Sequence, residues 1–116
     1  AYSDAAGVTA EFNLNVLRRV NRELGGDFDL DAFTHDARWV ADKGRIEMHL
    51  VSERDQQVRV EGHSFAFEEG ETIHTEDSHK YDVNEFQALA AKAGWRAFRH
   101  WTDEDELFSL HYMRVA

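Results

Sequence analysis

The 116 residues contain no cysteine and no proline. Without thiols there is no disulfide framework, no thiolate metal site and no cysteine nucleophile, so any chemistry uses other groups. Positive charge is scarce: 13 basic against 23 acidic side chains leave a net charge of −10. The basic residues are scattered, and the local pair Arg18-Arg19 is too small to neutralise a run of phosphates, so no nucleic-acid partner is expected. No apolar run approaches the roughly 18 residues of a membrane-spanning helix, and the opening Ala1-Tyr2-Ser3-Asp4-Ala5-Ala6-Gly7 lacks both the basic and the apolar region of a signal peptide. The expectation is a cytoplasmic protein with no membrane partner. The glycines at 7, 25, 26, 44, 62, 70 and 94 form neither G-x-G-x-x-G nor a Walker A loop, and no serine lies in a G-x-S-x-G setting. A nucleotide cofactor therefore has no customary loop here. The chain opens without methionine, from which we expect a piece cut from something longer.

What is present is ordinary globular material, 42% hydrophobic, in a length that fits one compact unit. Ser3 to Leu24 reads as a helix capped by Ser3 or Asp4, with Val8, Phe12, Val16, Leu17 and Val20 as its apolar face and Gly25-Gly26 as its stop. A short turn capped by Asp29 follows, with Leu30 and Phe33 inward. The period then shortens to two. Ala37, Trp39 and Ala41, then Ile46, Met48 and Leu50, alternate with polar neighbours around Asp42-Lys43-Gly44, which predicts a hairpin. Short strands are predicted over 57–61, 64–68 and 71–79. Asp82 then caps a helix to Ala93 with Val83, Phe86, Leu89 and Ala90 inward, Gly94 ends it, and strands over 95–101 and 107–115 close the chain. The predicted class is α+β, with mixed or antiparallel strands and two main helices.

Seven histidines invite a metal reading, with His74 and His79, or His35 and His49, as ligands. No metal site is assigned, because residues five apart on a regular strand point to opposite faces. Glu76 and Ser78, two apart on an extended segment, point to one side. A carboxylate only accepts hydrogen bonds while a hydroxyl donates or accepts, so together they match both nitrogens of an imidazole; the alternative is the solvated face of an edge strand. Tyr2 to Thr9 is crowded with small residues, which allow close approach of a ligand or simply of another helix.

These two stretches, Tyr2 to Gly25 (Y-S-D-A-A-G-V-T-A-E-F-N-L-N-V-L-R-R-V-N-R-E-L-G) and Ile73 to Tyr81 (I-H-T-E-D-S-H-K-Y), with R-I-E-M-H-L (Arg45 to Leu50) and H-W-T-D-E-D-E-L-F-S-L-H (His100 to His111), resemble one family. It is the S-adenosylmethionine-dependent methyltransferases that trimethylate the α-amino group of L-histidine in ergothioneine biosynthesis. The resemblance implies the carboxy-terminal third of such an enzyme: residues 1–27 a helical lead-in, 28–80 most of an inserted substrate-recognition domain, and 81–116 the end of a class I, Rossmann-like methyltransferase sheet. It implies S-adenosylmethionine as cofactor, bound by a part of the enzyme that precedes these residues, and L-histidine as substrate.

By the same resemblance Glu76 accepts a hydrogen bond from the imidazole N–H and Ser78 faces the same ring. Met48 walls the pocket, Tyr2 contacts the amino-acid backbone, and Thr9 and Phe12 are further lining. No catalytic residue is implied, since aligning a neutral amine with a methyl group is a matter of positioning. Met48 has a plain core-packing alternative beside Ile46 and Leu50. Alternatives for the whole are a free-standing small-ligand module and a methyltransferase of another amino acid or amine. Strands made for a larger sheet leave exposed edges, which makes a homodimer an expectation too.

Overall fold

A computed structural model describes all residues, 1–116. Contacts gather in two compact units, Ala1–His79 and Lys80–Ala116, where the sequence suggested a single one.

The first unit opens with helix α1 (Val8–Leu24). It starts later than Ser3 because Gly7 takes a left-handed conformation, φ 72°, that turns the chain before the helix begins. Asp4 still serves the helix end: its carboxylate accepts from the backbone N–H groups of Val8 and Thr9, each at 3.1 Å. After a turn at Leu30–Ala32, in which Asp29 accepts from the Asp31 N–H, come strands β1 (Phe33–Val40), β2 (Arg45–Ser52), β3 (Gln56–Val60), β4 (His63–Phe67) and β5 (Thr72–His79). β1, β2 and β5 form one antiparallel sheet in that order, and β3 and β4 a separate hairpin. Leu17 of α1 packs with Ala32, Phe33, Leu50 and Val58 as the buried core, bordered by Phe28, Phe67 and Ile73. Phe33 meets both Phe28 and Phe67 edge-on, at centroid distances of 5.6 and 5.5 Å.

Three expectations need correction. Of the predicted helix face only Leu17 is fully buried, and Val8 and Phe12 are both 67% exposed. The buried line runs through Asn13 and Leu17, and Val8, Phe12 and Val16 sit about 100° further round, because successive helical residues turn by that angle. Trp39 is exposed, because it lies at the far end of β1 from Phe33, where the buried core sits. His49, expected outward, is buried, because β2 is the central strand and the neighbouring side chains of Glu47, Thr72 and His74 close around its ring.

β5 carries the feature that matters most. Met48 pairs with Glu76 but His49 pairs with His74, so Thr75 is an extra residue with no partner of its own, a β-bulge. The bulge lets Ile73 lie beside Leu50 in the core while Glu76 lies beside Met48 on the same face. It also overturns the argument from strict alternation. His74 falls on the face of Asp77, its hydrogen-bond partner, and His79 follows Asp77 on that side.

The second unit holds α2 (Val83–Lys92), β6 (Trp95–Thr102) and β7 (Ser109–Val115), the strands antiparallel. Asp82 and Glu85 form a reciprocal capping box at the start of α2. None of Val83, Phe86, Leu89 and Ala90 is fully buried, and Leu89 is exposed. One helix and one hairpin are too little material to cover such a face.

Candidate functional site

The start of α1, the residues before it and the face shared by β2 and β5 enclose a concavity of about 380 Å³, open to solvent and lined by Ala1, Tyr2, Val8, Thr9, Phe12, Met48 and Glu76. Five of the six residues singled out in the sequence thus line one hollow. The sixth, Ser78, hydrogen-bonds the Tyr2 hydroxyl at 2.8 Å. Met48 is 3% exposed, so it belongs to the buried interior and forms the floor of the hollow at once. Phe12 and Val8 form an apolar rim. Glu76, on an edge strand as the plain alternative had it, is exposed and is the one acidic group in the lining. The left-handed turn at Gly7 and the Asp4 cap hold Tyr2 and Thr9 on one side, and the Thr9 hydroxyl donates to the Ala1 carbonyl at 3.2 Å. The N–H groups of Thr9 and Val8 hold the Asp4 carboxyl below its usual range.

Behind this hollow lies a set of residues that sequence reasoning passed over. Asn13, buried within α1, donates through Nδ2 to Nδ1 of His35 at 2.9 Å and to the His49 carbonyl at 3.2 Å. Its Oδ1 accepts from the Thr75 hydroxyl at 2.6 Å. His35 reaches the Tyr2 carbonyl through Nε2 at 2.7 Å. One signal was available: an amide set on the same line of the helix as Leu17 cannot stay unpaired once buried.

The opposite face of the sheet carries a charged cluster. Arg45 donates to Oε2 of Glu47 at 2.7 Å and lies 3.3 Å from Oδ2 of Asp77. Nε2 of His49 meets the other Glu47 oxygen at 2.9 Å, its Nδ1 meets the Thr72 hydroxyl at 3.0 Å, and the His49 and His74 rings stack at 4.6 Å. The hydrogen bonds from His49 and then Arg45 hold Glu47 down at about 2, against an ordinary 4.5. Glu47, His49 and His74 offer ligand atoms within 4.8 Å of one another. Each of those atoms has a protein partner, and the Arg45 guanidinium already answers the carboxylate charge, so the cluster reads as a self-satisfied polar network.

No helix is long and apolar enough to cross a membrane. The glycines with positive φ stand singly at turns and helix ends, so the structure has no glycine-rich loop for a nucleotide-like cofactor.

Comparison with known proteins places these features in context. Residues 1–115 match the family described as histidine-specific methyltransferase, SAM-dependent. A histidine N-alpha-methyltransferase of Mycolicibacterium smegmatis is 50% identical over 112 residues, covering 95% of this chain and 35% of that protein. One of Mycobacterium tuberculosis is 47% identical with the same coverage. An N-methyltransferase of Aspergillus fumigatus is 29% identical over 99 residues, 84% of this chain and 27% of that protein. The chain thus spans 35% of the length of the two mycobacterial relatives.

Proposed function

The chain belongs to the SAM-dependent histidine-specific methyltransferases, and from that premise we propose that it forms the substrate-recognition and carboxy-terminal part of an enzyme that methylates the α-amino group of L-histidine. The observation that carries the reading is the gathering of Tyr2, Thr9, Phe12, Met48 and Glu76 around one hollow, with Ser78 bonded to Tyr2. Glu76 accepts the imidazole N–H and Ser78 addresses the same ring. A hydroxyl accepts and donates at once, so the bond to Tyr2 and a contact to the ring are compatible. Met48 supplies the apolar floor, Thr9 and Phe12 further lining, and Tyr2 a contact to the amino-acid backbone.

Residues 28–80 make up most of the recognition region in this reading, and 81–116 the end of a Rossmann-like sheet. Support for the latter is the apolar surface that β6 and β7 expose at Trp95, Phe98, Trp101, Leu110, Tyr112 and Val115. These residues offer no glycine-rich loop that would seat S-adenosylmethionine, so its binding is assigned to the remainder of the enzyme. Ergothioneine biosynthesis, a cytoplasmic setting and pairing of two copies through the open edges of the β6–β7 hairpin belong to the same proposal.

Recognition by paired polar groups sets the test. In the full-length enzyme Glu76→Ala raises KM for histidine about tenfold or more and lowers kcat at saturation much less, as steady-state kinetics will register. An unchanged KM removes Glu76 from the site.

A further inference from the structure

We propose that Asn13, His35 and Thr75 are positioning residues for the histidine pocket, closing a circuit of hydrogen bonds that pins Glu76 and Ser78 to the face where Tyr2 waits. The proposal rests on the recognition reading above and adds how the recognition groups are held.

The circuit can be followed atom by atom. Thr75 Oγ1 donates to Asn13 Oδ1, Asn13 Nδ2 donates to His35 Nδ1, His35 Nε2 donates to the Tyr2 carbonyl, and the Tyr2 hydroxyl returns to Ser78 Oγ on the starting strand. Its two ends on β5 bracket Glu76. The proton positions are dictated by chemistry. The His49 carbonyl needs a donor, so it must face the Asn13 NH2 at 3.2 Å, which leaves the amide oxygen for Thr75. That NH2 then meets His35 Nδ1 as an acceptor, so the His35 proton sits on Nε2, where the Tyr2 carbonyl receives it. Each bond of the circuit then has one donor and one acceptor, with the Tyr2–Ser78 pair running in either sense.

The bulge makes this circuit consequential. Because side chains alternate along a strand, a one-residue slip between β5 and β2 turns Glu76 to the other face, toward Glu47, and takes it out of the hollow. Thr75 is the unpaired residue of the bulge, and its hydroxyl reaches both Asn13 and the Met48 carbonyl, the latter at 3.0 Å. Asn13, 3% exposed and rigid in a helix, holds the extra residue in place. Neither Asn13 nor Thr75 lines the hollow, so both are assigned to positioning.

The test compares Thr75→Val, which keeps the shape and removes the hydroxyl, with Thr75→Ser, which keeps the hydroxyl, both in the full-length enzyme. Amide hydrogen exchange needs no substrate. It is expected to quicken over residues 73–79 in the valine variant, to remain at the parental rate in the β3–β4 hairpin, and to be restored by serine. In turnover, the valine variant is expected to raise KM for histidine about tenfold while kcat and KM for S-adenosylmethionine stay within about twofold. Exchange over residues 73–79 that is the same in parent and valine variant overturns the proposal, as does an equal rise in both KM values. If the parent enzyme ignores histidine, the recognition reading fails on its own, and the exchange comparison still decides whether Thr75 pins the strand.

Discussion

The two units of this chain are built to different standards of closure. In Ala1–His79 the side chains of Leu50, Val58 and Phe33 are shut away from water, no buried side-chain nitrogen or oxygen lacks a partner, and an aromatic trio seals the end of the core. In Lys80–Ala116 no residue is fully buried, and Leu107, Phe108 and Val115 are among the large apolar groups left in solvent. Their local signals are equally good: α2 has a reciprocal capping box, whereas α1 relies on a carboxylate outside the helix. The contrast separates the requirements for forming an element from those for stabilising a unit. Capping and turn chemistry suffice for the first, but the second takes apolar area removed from water, which the second unit does not achieve with its own residues.

Point mutations and pH put this contrast to the test. The largest effect belongs to Leu50→Ala, which truncates a side chain with no exposed surface at the centre of the first unit. A loss of about 2–5 kcal/mol is expected in denaturant unfolding, and a loss below about 1 kcal/mol would show that this core is not what stabilises the unit. Next comes acid. Because Glu47 is held below its ordinary 4.5, at about 2, its contribution is complete above pH 4.5 and disappears as pH falls through about 2. Thermal melts of the first unit should therefore weaken across that window, and Glu47→Gln should flatten the dependence. An unaltered acid profile in the glutamine variant would remove Glu47 from the account. The smallest effect is expected for Leu107→Ala in the second unit, a leucine 85% exposed. Its stability should shift by no more than about 0.5 kcal/mol, and a larger loss would mean that Leu107 is covered in solution.

The site was legible to an unequal degree. Glu76 and Ser78 could be placed on one side from their spacing alone, and the structure agrees. The same rule applied to His74 and His79 failed, because it assumes an uninterrupted strand and Thr75 interrupts it. Val8 and Phe12 carry the right period for a buried face, yet they stand at the rim of the hollow. Periodicity identifies an apolar stripe but not what covers it. Asn13 was missed for the converse reason: a polar side chain reads as solvent-facing until the partners of all its hydrogen-bonding atoms are known.

The order of the elements, and where most of them stop, follow from local residue patterns. The turns at Gly44 and Gly94 and the caps at Asp29 and Asp82 depend on backbone geometry and on partners within a few residues, all written contiguously. The tertiary structure decided which faces are covered, where β5 bulges, and that Tyr2, Asn13, His35 and Thr75 form one circuit. Those outcomes join residues up to 76 positions apart in a single step, as between Tyr2 and Ser78. No window on the sequence spans that distance, because the energy of such a bond exists only once packing has brought both groups out of water together.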